Sequence, residues 1–346
     1  MCEQPDITNC PSHTPPTASA GGRHRDDGPA GRHHAEPQTG DGYTGRHRPS
    51  AHELSVWLTS QRTQPVQRRG RYEAKSVAHP ARMVPDIAAG LIGAFTEPGD
   101  LVIDPMCGIG TTMVEAMHAG RDGLGIEYES QWADLADANI ALALSQGAAG
   151  RGSVIRGDAT RMTSLLPAAL HGQAALVITS PPYGPNVHGK VRPDEDGVHK
   201  SDAKYGTDKG NLAYRPGGLA ALIDGFTTIL AGCQSLLRPG GIIAVTVRPY
   251  RIGDVLIDLP SAVVGAGVSL GLTSVARLEC SMAGLRDGRF IARPSFFQLR
   301  ATRRAISNGT PALLPAHEDL IILGKPLHSE IGDAHPDDGA GPKVGR

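Results

Sequence analysis

Aromatic side chains are scarce in this chain: Phe, Trp and Tyr make up only 4% of its 346 residues. Any core must therefore rest on Ala, Val, Ile and Leu. Cysteine is scarce too. The five present (Cys2, Cys10, Cys107, Cys233 and Cys280) show no paired spacing. That spacing argues against a disulfide framework or a zinc knuckle, fits a reducing compartment, and leads us to expect no metal. The longest apolar runs fall far short of a membrane span, and no charged-then-apolar start marks a signal peptide. A cytoplasmic protein with no membrane partner is the expectation. Neither sign of charge dominates. With a formal net charge of −1, affinity for a polyanion has to come from local patches.

The length allows one large domain plus extras. Residues 1–50 are rich in Gly, Pro, His, Arg and Thr and almost lack aliphatic side chains, so they cannot bury a core. A disordered tail is expected over 1–60, a domain over 61–326 and a second tail over 327–346. Arg62, Arg68, Arg69, Arg71 and Lys75 form a basic approach to the domain, either a phosphate-facing strip or a solvated linker.

From residue 84 to 266, apolar strands alternate with helical segments, the pattern of a doubly wound, mostly parallel sheet. Helices are expected near 84–95, 130–146, 218–236 and 257–266. Strands are expected near 101–104, 123–127, 153–156, 174–179, 241–247, 270–279 and 319–324.

The most informative segment follows the apolar run Ala174–Ile178: Thr179, Ser180, Pro181, Pro182, Tyr183. Two prolines between a hydroxyl and a ring make a rigid corner at a strand's carboxyl end, where open α/β sheets place ligands. Ser180 and the Pro181 carbonyl are placed to accept hydrogen bonds from an exocyclic amino group, with Tyr183 stacked on the base that carries it. A plain Pro-Pro turn closing a strand fits the same four residues.

Upstream, Leu101–Asp104 runs into a Gly-rich turn, Pro105 to Gly110, and a helix opening at Thr111 and Thr112. Glycines let backbone approach a ligand, and a helix start offers free N–H groups. Glu127 ends the next strand, 19 positions past Gly108, where a carboxylate can take both ribose hydroxyls of an adenosine cofactor. Asp158 ends another, placed to accept from an adenine amino group. A nicotinamide dinucleotide would want a small residue where Met113 stands, and Asp104 would repel its pyrophosphate. The layout favours S-adenosylmethionine.

Over residues 72–326 these motifs resemble the amino-methylating DNA methyltransferases of the N4-cytosine/N6-adenine group. The resemblance implies the seven-stranded, Rossmann-like fold of S-adenosylmethionine-dependent methyltransferases, with the last strand inserted antiparallel. It assigns Ser180, Pro181, Pro182 and Tyr183 to catalysis by base flipping. It assigns Asp104, Pro105, Cys107, Gly108, Gly110, Thr111, Thr112, Glu127, Asp158 and Thr179 to the cofactor, with His79 beside it. Ser180, where adenine enzymes carry Asp or Asn, leans toward cytosine N4 in DNA. Adenine N6 in DNA, or guanine N2 or adenine N6 in RNA, are the alternatives. A cognate restriction endonuclease is a conceivable partner, and oligomeric state is left open.

Two insertions interrupt the scaffold, 185–217 and 280–316. The first directly follows Tyr183 and carries Lys190; it either closes over the base or is a surface loop. The second carries Arg286, Arg289 and Arg293 with Phe296 interleaved, a mixture suited to phosphates and bases. It is the expected target-recognition element, against a structural extension of the sheet.

Overall fold

The computed structural model describes residues 54–183, 190–194, 197–201, 206, 210–214 and 216–327. The chain divides into two units, Met1–Arg48 and Pro49–Arg346, and all described residues belong to the second.

In chain order the elements are β1 (Val56–Trp57), α1 (Gln64–Arg68), α2 (Pro85–Phe95), β2 (Leu101–Asp104), α3 (Thr111–His118), β3 (Asp122–Glu127), α4 (Ser130–Ser145) and β4 (Gly152–Arg156). Then come α5 (Met162–Leu165), β5 (Ala174–Thr179), β6 (Lys190–Asp194), β7 (Gly197–Ser201), α6 (Gly218–Leu236), β8 (Leu237–Val247), β9 (Tyr250–Ile252) and β10 (Val255–Ile257). The last are α7 (Leu259–Ser269), β11 (Thr273–Ser281), β12 (Ala283–Arg286), β13 (Arg289–Ala292), α8 (Phe296–Ser307) and β14 (His317–Gly324).

One eight-stranded sheet runs β1-β11-β14-β8-β5-β2-β3-β4. β14 is antiparallel to both its neighbours, as the resemblance implied, and the remaining pairs are parallel. The central strands read as unbroken apolar runs because helices cover both faces. β5 is buried at every position. On one face α6 and α7 bury Phe226, Leu230, Leu236 and Val263; on the other α2 buries Ile87, Leu91 and Ile92. By length and composition α6 is apolar enough to cross a membrane, unlike the short runs expected from sequence. Its apolar face lies instead in this core.

The expected count of seven strands is corrected to eight, and Val56–Trp57, expected within a tail over 1–60, form a strand. Val56 and Trp57 pair with Glu279 and Cys280 of β11. Trp57 is buried, and its indole occupies the space over Gly90 of α2, where a Cβ would lie 2.9 Å from the ring. A two-residue strand has no periodicity to read, and its pairing spans over two hundred residues. The basic approach is also drawn inward. Arg68 is buried and donates to the Met83 carbonyl and to Thr111 Oγ1. Arg71 pairs bidentately with Glu115, at 2.9 and 2.7 Å.

Other departures are local. Asp258 accepts from Ser261 N at 3.1 Å and caps α7, which therefore starts at Leu259 rather than near 257. β8 begins at Leu237 rather than 241. Met113 stands where close helix–strand packing wants a small residue, and β3 supplies the room instead. A Cβ at Gly125 would lie 2.6 Å from both Met113 Cε and Cys107 Sγ.

Trp57→Ala should lower unfolding free energy by about 3–5 kcal/mol, the usual cost of emptying a buried Trp site. Chemical denaturation checks this; a change within experimental error would remove Trp57 from the core.

Candidate active site

The sheet order reverses between β2 and β5, and a cleft opens at their carboxyl ends, the position expected for ligands in such sheets. It encloses about 1000 Å³, part of it open to solvent. Asp104, the turn from Pro105 to Ile109, Glu127, Asp158 and the segment Ser180–Tyr183 all line it. Sequence motifs separated by nearly eighty positions thus meet in one cavity.

Two carboxylates hold the Gly-rich turn. Asp104 accepts from Met106 N at 3.1 Å through Oδ1 and from Thr112 Oγ1 at 2.6 Å through Oδ2. Glu127 accepts from Gly108 N at 2.8 Å and from Glu129 N at 2.9 Å, one N–H on each oxygen. Both side chains are buried. Burial pushes the Asp104 carboxyl up to about 7, against the pull of its Thr112 and Met106 hydrogen bonds, and the Glu127 charge adds to the rise. Gly108 (φ 53°) and Gly110 (φ 79°) lie in the left-handed region that favours glycine. At Gly108 a Cβ would also lie 3.0 Å from His79 Nε2.

His79 is buried, edge-on to Trp132 with ring centroids 4.6 Å apart, and its Nδ1 accepts from Ala81 N at 3.2 Å. It walls the cleft beside the turn. Cys107 Sγ packs against Gly125, and burial pushes its thiol well above the ordinary range, which suits packing rather than nucleophilic work. Asp158 Oδ1 accepts from Thr160 N at 2.9 Å and Oγ1 at 2.7 Å, aligning it at the end of β4. Thr111 lines the cleft, whereas Gly110, Thr112 and Thr179 act behind it.

The acceptor set suits a ligand that brings hydroxyl and ammonium donors. Glu127 accepts a backbone N–H on each oxygen, the behaviour of an ionised acceptor at the edge of the cleft. A buried acidic floor at Asp104 disfavours a phosphate.

At the other wall, Tyr183 is half-buried. Its ring meets Tyr250 edge-on, with centroids 5.8 Å apart and planes at 82°. The Arg248 guanidinium lies 5.1 Å from the Tyr183 ring centre and pairs with Glu318 Oε1 at 3.0 Å. Burial pushes the Tyr183 hydroxyl above its ordinary range, with Arg248 pulling the other way. Sequence reading missed Arg248, Tyr250 and Glu318; only the unusual Arg-Pro-Tyr stretch after β8 hinted at them. It also missed Asn211, which lines the cleft and donates to Glu129 Oε1 at 2.9 Å. Asn211 brings the end of the first insertion to the cofactor side.

The residues expected to meet nucleic acid are spread more widely. Arg286 and Arg289 face each other across the β12–β13 hairpin and are exposed. Arg293 Nη1 donates to the Ser60 carbonyl at 2.6 Å, tying the hairpin to the amino-terminal segment. Phe296 opens α8 and Lys190 opens β6, but their side chains, like residues 184–189, lie outside what is described. Among the described residues no cluster of three or more His, Cys, Asp or Glu is placed to hold a metal.

Sheet order, the antiparallel β14 and a cleft at the switch point define a Rossmann-like α/β fold. Residues 25–138 match the family model of the N6/N4 DNA methylases, a stretch containing the Gly-rich turn and Glu127. It is the amino-methylating DNA methyltransferase family that the chain resembles, over about a third of its length. Among curated relatives, Type II methyltransferase M.MthZI of Methanothermobacter thermautotrophicus is 40% identical over 55 residues, 16% of each chain. Type II methyltransferase M.HinfI of Haemophilus influenzae is 33% identical over 88 residues, 25% of this chain and 24% of that protein. The chain thus spans at most a quarter of the length of these relatives. Among solved structures, TrmN from Thermus thermophilus overlaps 75% of this chain and 53% of its own, with 16% identity and a TM-score of 0.44.

Thr112→Val removes the hydroxyl that stabilises ionised Asp104. The Asp104 titration should then move above about 7, as read by carboxyl carbon NMR; no upward movement would contradict the assigned role of Thr112.

Proposed function

We infer that this protein transfers a methyl group from S-adenosylmethionine to an exocyclic amino group of a base in DNA, with cytosine N4 favoured by Ser180. The observation that carries this is the meeting of the Asp104–Gly110 turn and Ser180–Tyr183 in one cleft. The family match and the names of the curated relatives support the substrate class.

Asp104 would receive the amino-acid end of the cofactor, Glu127 its ribose hydroxyls and Asp158 its adenine. The bound cofactor supplies a methyl group on an electrophilic sulfonium. An exocyclic amino nitrogen is a poor nucleophile because its lone pair is delocalised into the ring. Hydrogen bonds from that amino group to Ser180 Oγ and the Pro181 carbonyl draw it toward tetrahedral geometry and restore the lone pair. Pro182 fixes the corner, and the Tyr183 ring stacks on a base flipped out of the duplex. Positioning then supplies most of the rate. Arg286 and Arg289, on the exposed hairpin, are proposed to meet phosphates, with Lys190 and Phe296 as further contacts. A cytoplasmic site of action on the nucleoid, and a cognate restriction endonuclease, belong to the same proposal.

Two variants separate the roles. Tyr183→Ala should abolish transfer while sparing cofactor affinity measured by calorimetry, and Asp104→Ala should weaken cofactor affinity itself. Near-normal transfer by Tyr183→Ala would contradict the assigned base site. Cofactor binding should also be pH-dependent. The ammonium end binds the ionised carboxyl, and free Asp104 is protonated below about 7. Affinity should therefore fall about tenfold for each pH unit below that value, one unit being about 1.36 kcal/mol. A flat profile from pH 5 to 8 would remove the ammonium from Asp104.

A further inference from the structure

We propose that Arg248 and Glu318 act as a positioning pair for the base-stacking ring, an inference that rests on Ser180–Tyr183 being the base site. Arg248 follows directly on β8. Val247 is paired with Asp319 of the antiparallel β14, so the sheet register itself sets Glu318 beside Arg248. The two side chains are only 13% and 16% exposed, with Nη1 3.0 Å from Oε1. Arg248 Nη1 also lies 3.7 Å from Met282 Sδ.

This guanidinium sits 5.1 Å from the Tyr183 ring centre, and Tyr250 meets the same ring edge-on. The ring is therefore contacted by a planar cation and by a second ring at a near-right angle, and its tilt is fixed before a base arrives. A guanidinium suits this place because it is planar, permanently charged and favourable against an aromatic ring.

Its charge would be a liability if uncompensated. The attacking amino nitrogen gains positive charge as the methyl–sulfur bond breaks and the thioether departs, before one N–H proton passes to solvent, and a bare cation nearby in a poorly solvated cleft opposes that. Glu318 cancels the charge while holding the fork in place. The pair thus lets a cation orient the ring without disfavouring the transition state.

The roles give distinguishable signatures. Arg248→Met should lower kcat about 10- to 100-fold through misorientation, with cofactor affinity within about twofold of the parent, since the group lies on the base side of the cleft. Arg248→Lys, a cation without the planar fork, should recover part of the loss. Glu318→Gln should lower kcat further than Arg248→Met, because it leaves a largely covered cation uncompensated. Combining the two should raise kcat back to the level of Arg248→Met alone. A purely structural pair would show no such recovery in kcat among the folded protein, quantified by cofactor binding. A 2-aminopurine at the target position should report base stacking on Tyr183: its quenching in the parent complex should be lost in Arg248→Met.

The experiment measures these variants beside the parent on duplex DNA. Parent protein that transfers nothing to DNA overturns the proposed function, and this inference with it. A parent that transfers methyl groups while Arg248→Met keeps kcat within about twofold overturns the inference alone. So does a loss of cofactor affinity as large as the loss of kcat.

Discussion

Two carboxylates are buried at the ends of neighbouring parallel strands, and the rest of the site depends on how that burial is compensated. Asp104 and Glu127 have left water, which is costly for a charged group unless hydrogen bonds replace the lost solvent. The replacements come from the Gly-rich turn between them. Met106 N and Thr112 Oγ1 serve one carboxylate, and Gly108 N serves the other. Those bonds set the path of the turn. The path in turn demands left-handed glycines and brings His79, Cys107 and Ile109 into fixed places. For Asp104 the compensation is incomplete, and its carboxyl sits near neutrality. A carboxylate in that condition gains from a cation more than an exposed one would. The same burial that raises the Asp104 carboxyl favours a ligand with an ammonium end.

The second wall of the cleft is built by a different logic. Ser180–Tyr183 leaves β5 as a proline-stiffened corner that needs no ladder bonds of its own. The groups against its ring come from strands that enter the sheet much later: Arg248 after β8, paired with Glu318 of β14. The proposed base site and the proposed cofactor site therefore share one cavity but rest on separate supports. Changes on one side should leave the other standing.

Much of the scaffold was legible because its signals are local. Leu101–Asp104, Ala174–Thr179 and Gly218–Leu236 are apolar runs bounded by turn chemistry, and each forms at its expected bounds. Asp104, Glu127, Asp158 and Ser180 could be found because strand ends are where such a sheet exposes polar groups. What escaped notice is long-range. Val56–Trp57 becomes an edge strand only through β11, and no local pattern announces it. Arg68, Arg71 and Arg293 look like surface cations in sequence, yet each has a partner far along the chain, among them Thr111, Glu115 and the Ser60 carbonyl. Arg248 and Glu318 are 70 positions apart, and only the antiparallel register of β14 against β8 reveals them as a pair. Met113 spoke only against a dinucleotide in the sequence, and the glycine that makes room for it, Gly125, lies on another element.

The most direct measurement of the central claim is nucleoside mass spectrometry after incubating the protein and S-adenosylmethionine with unmodified DNA and, in parallel, RNA. The account calls for N4-methylcytosine in the DNA. N6-methyladenine there would keep the site and overturn the base assigned from Ser180. A methyl group found only in RNA, or in neither, would contradict the proposed substrate.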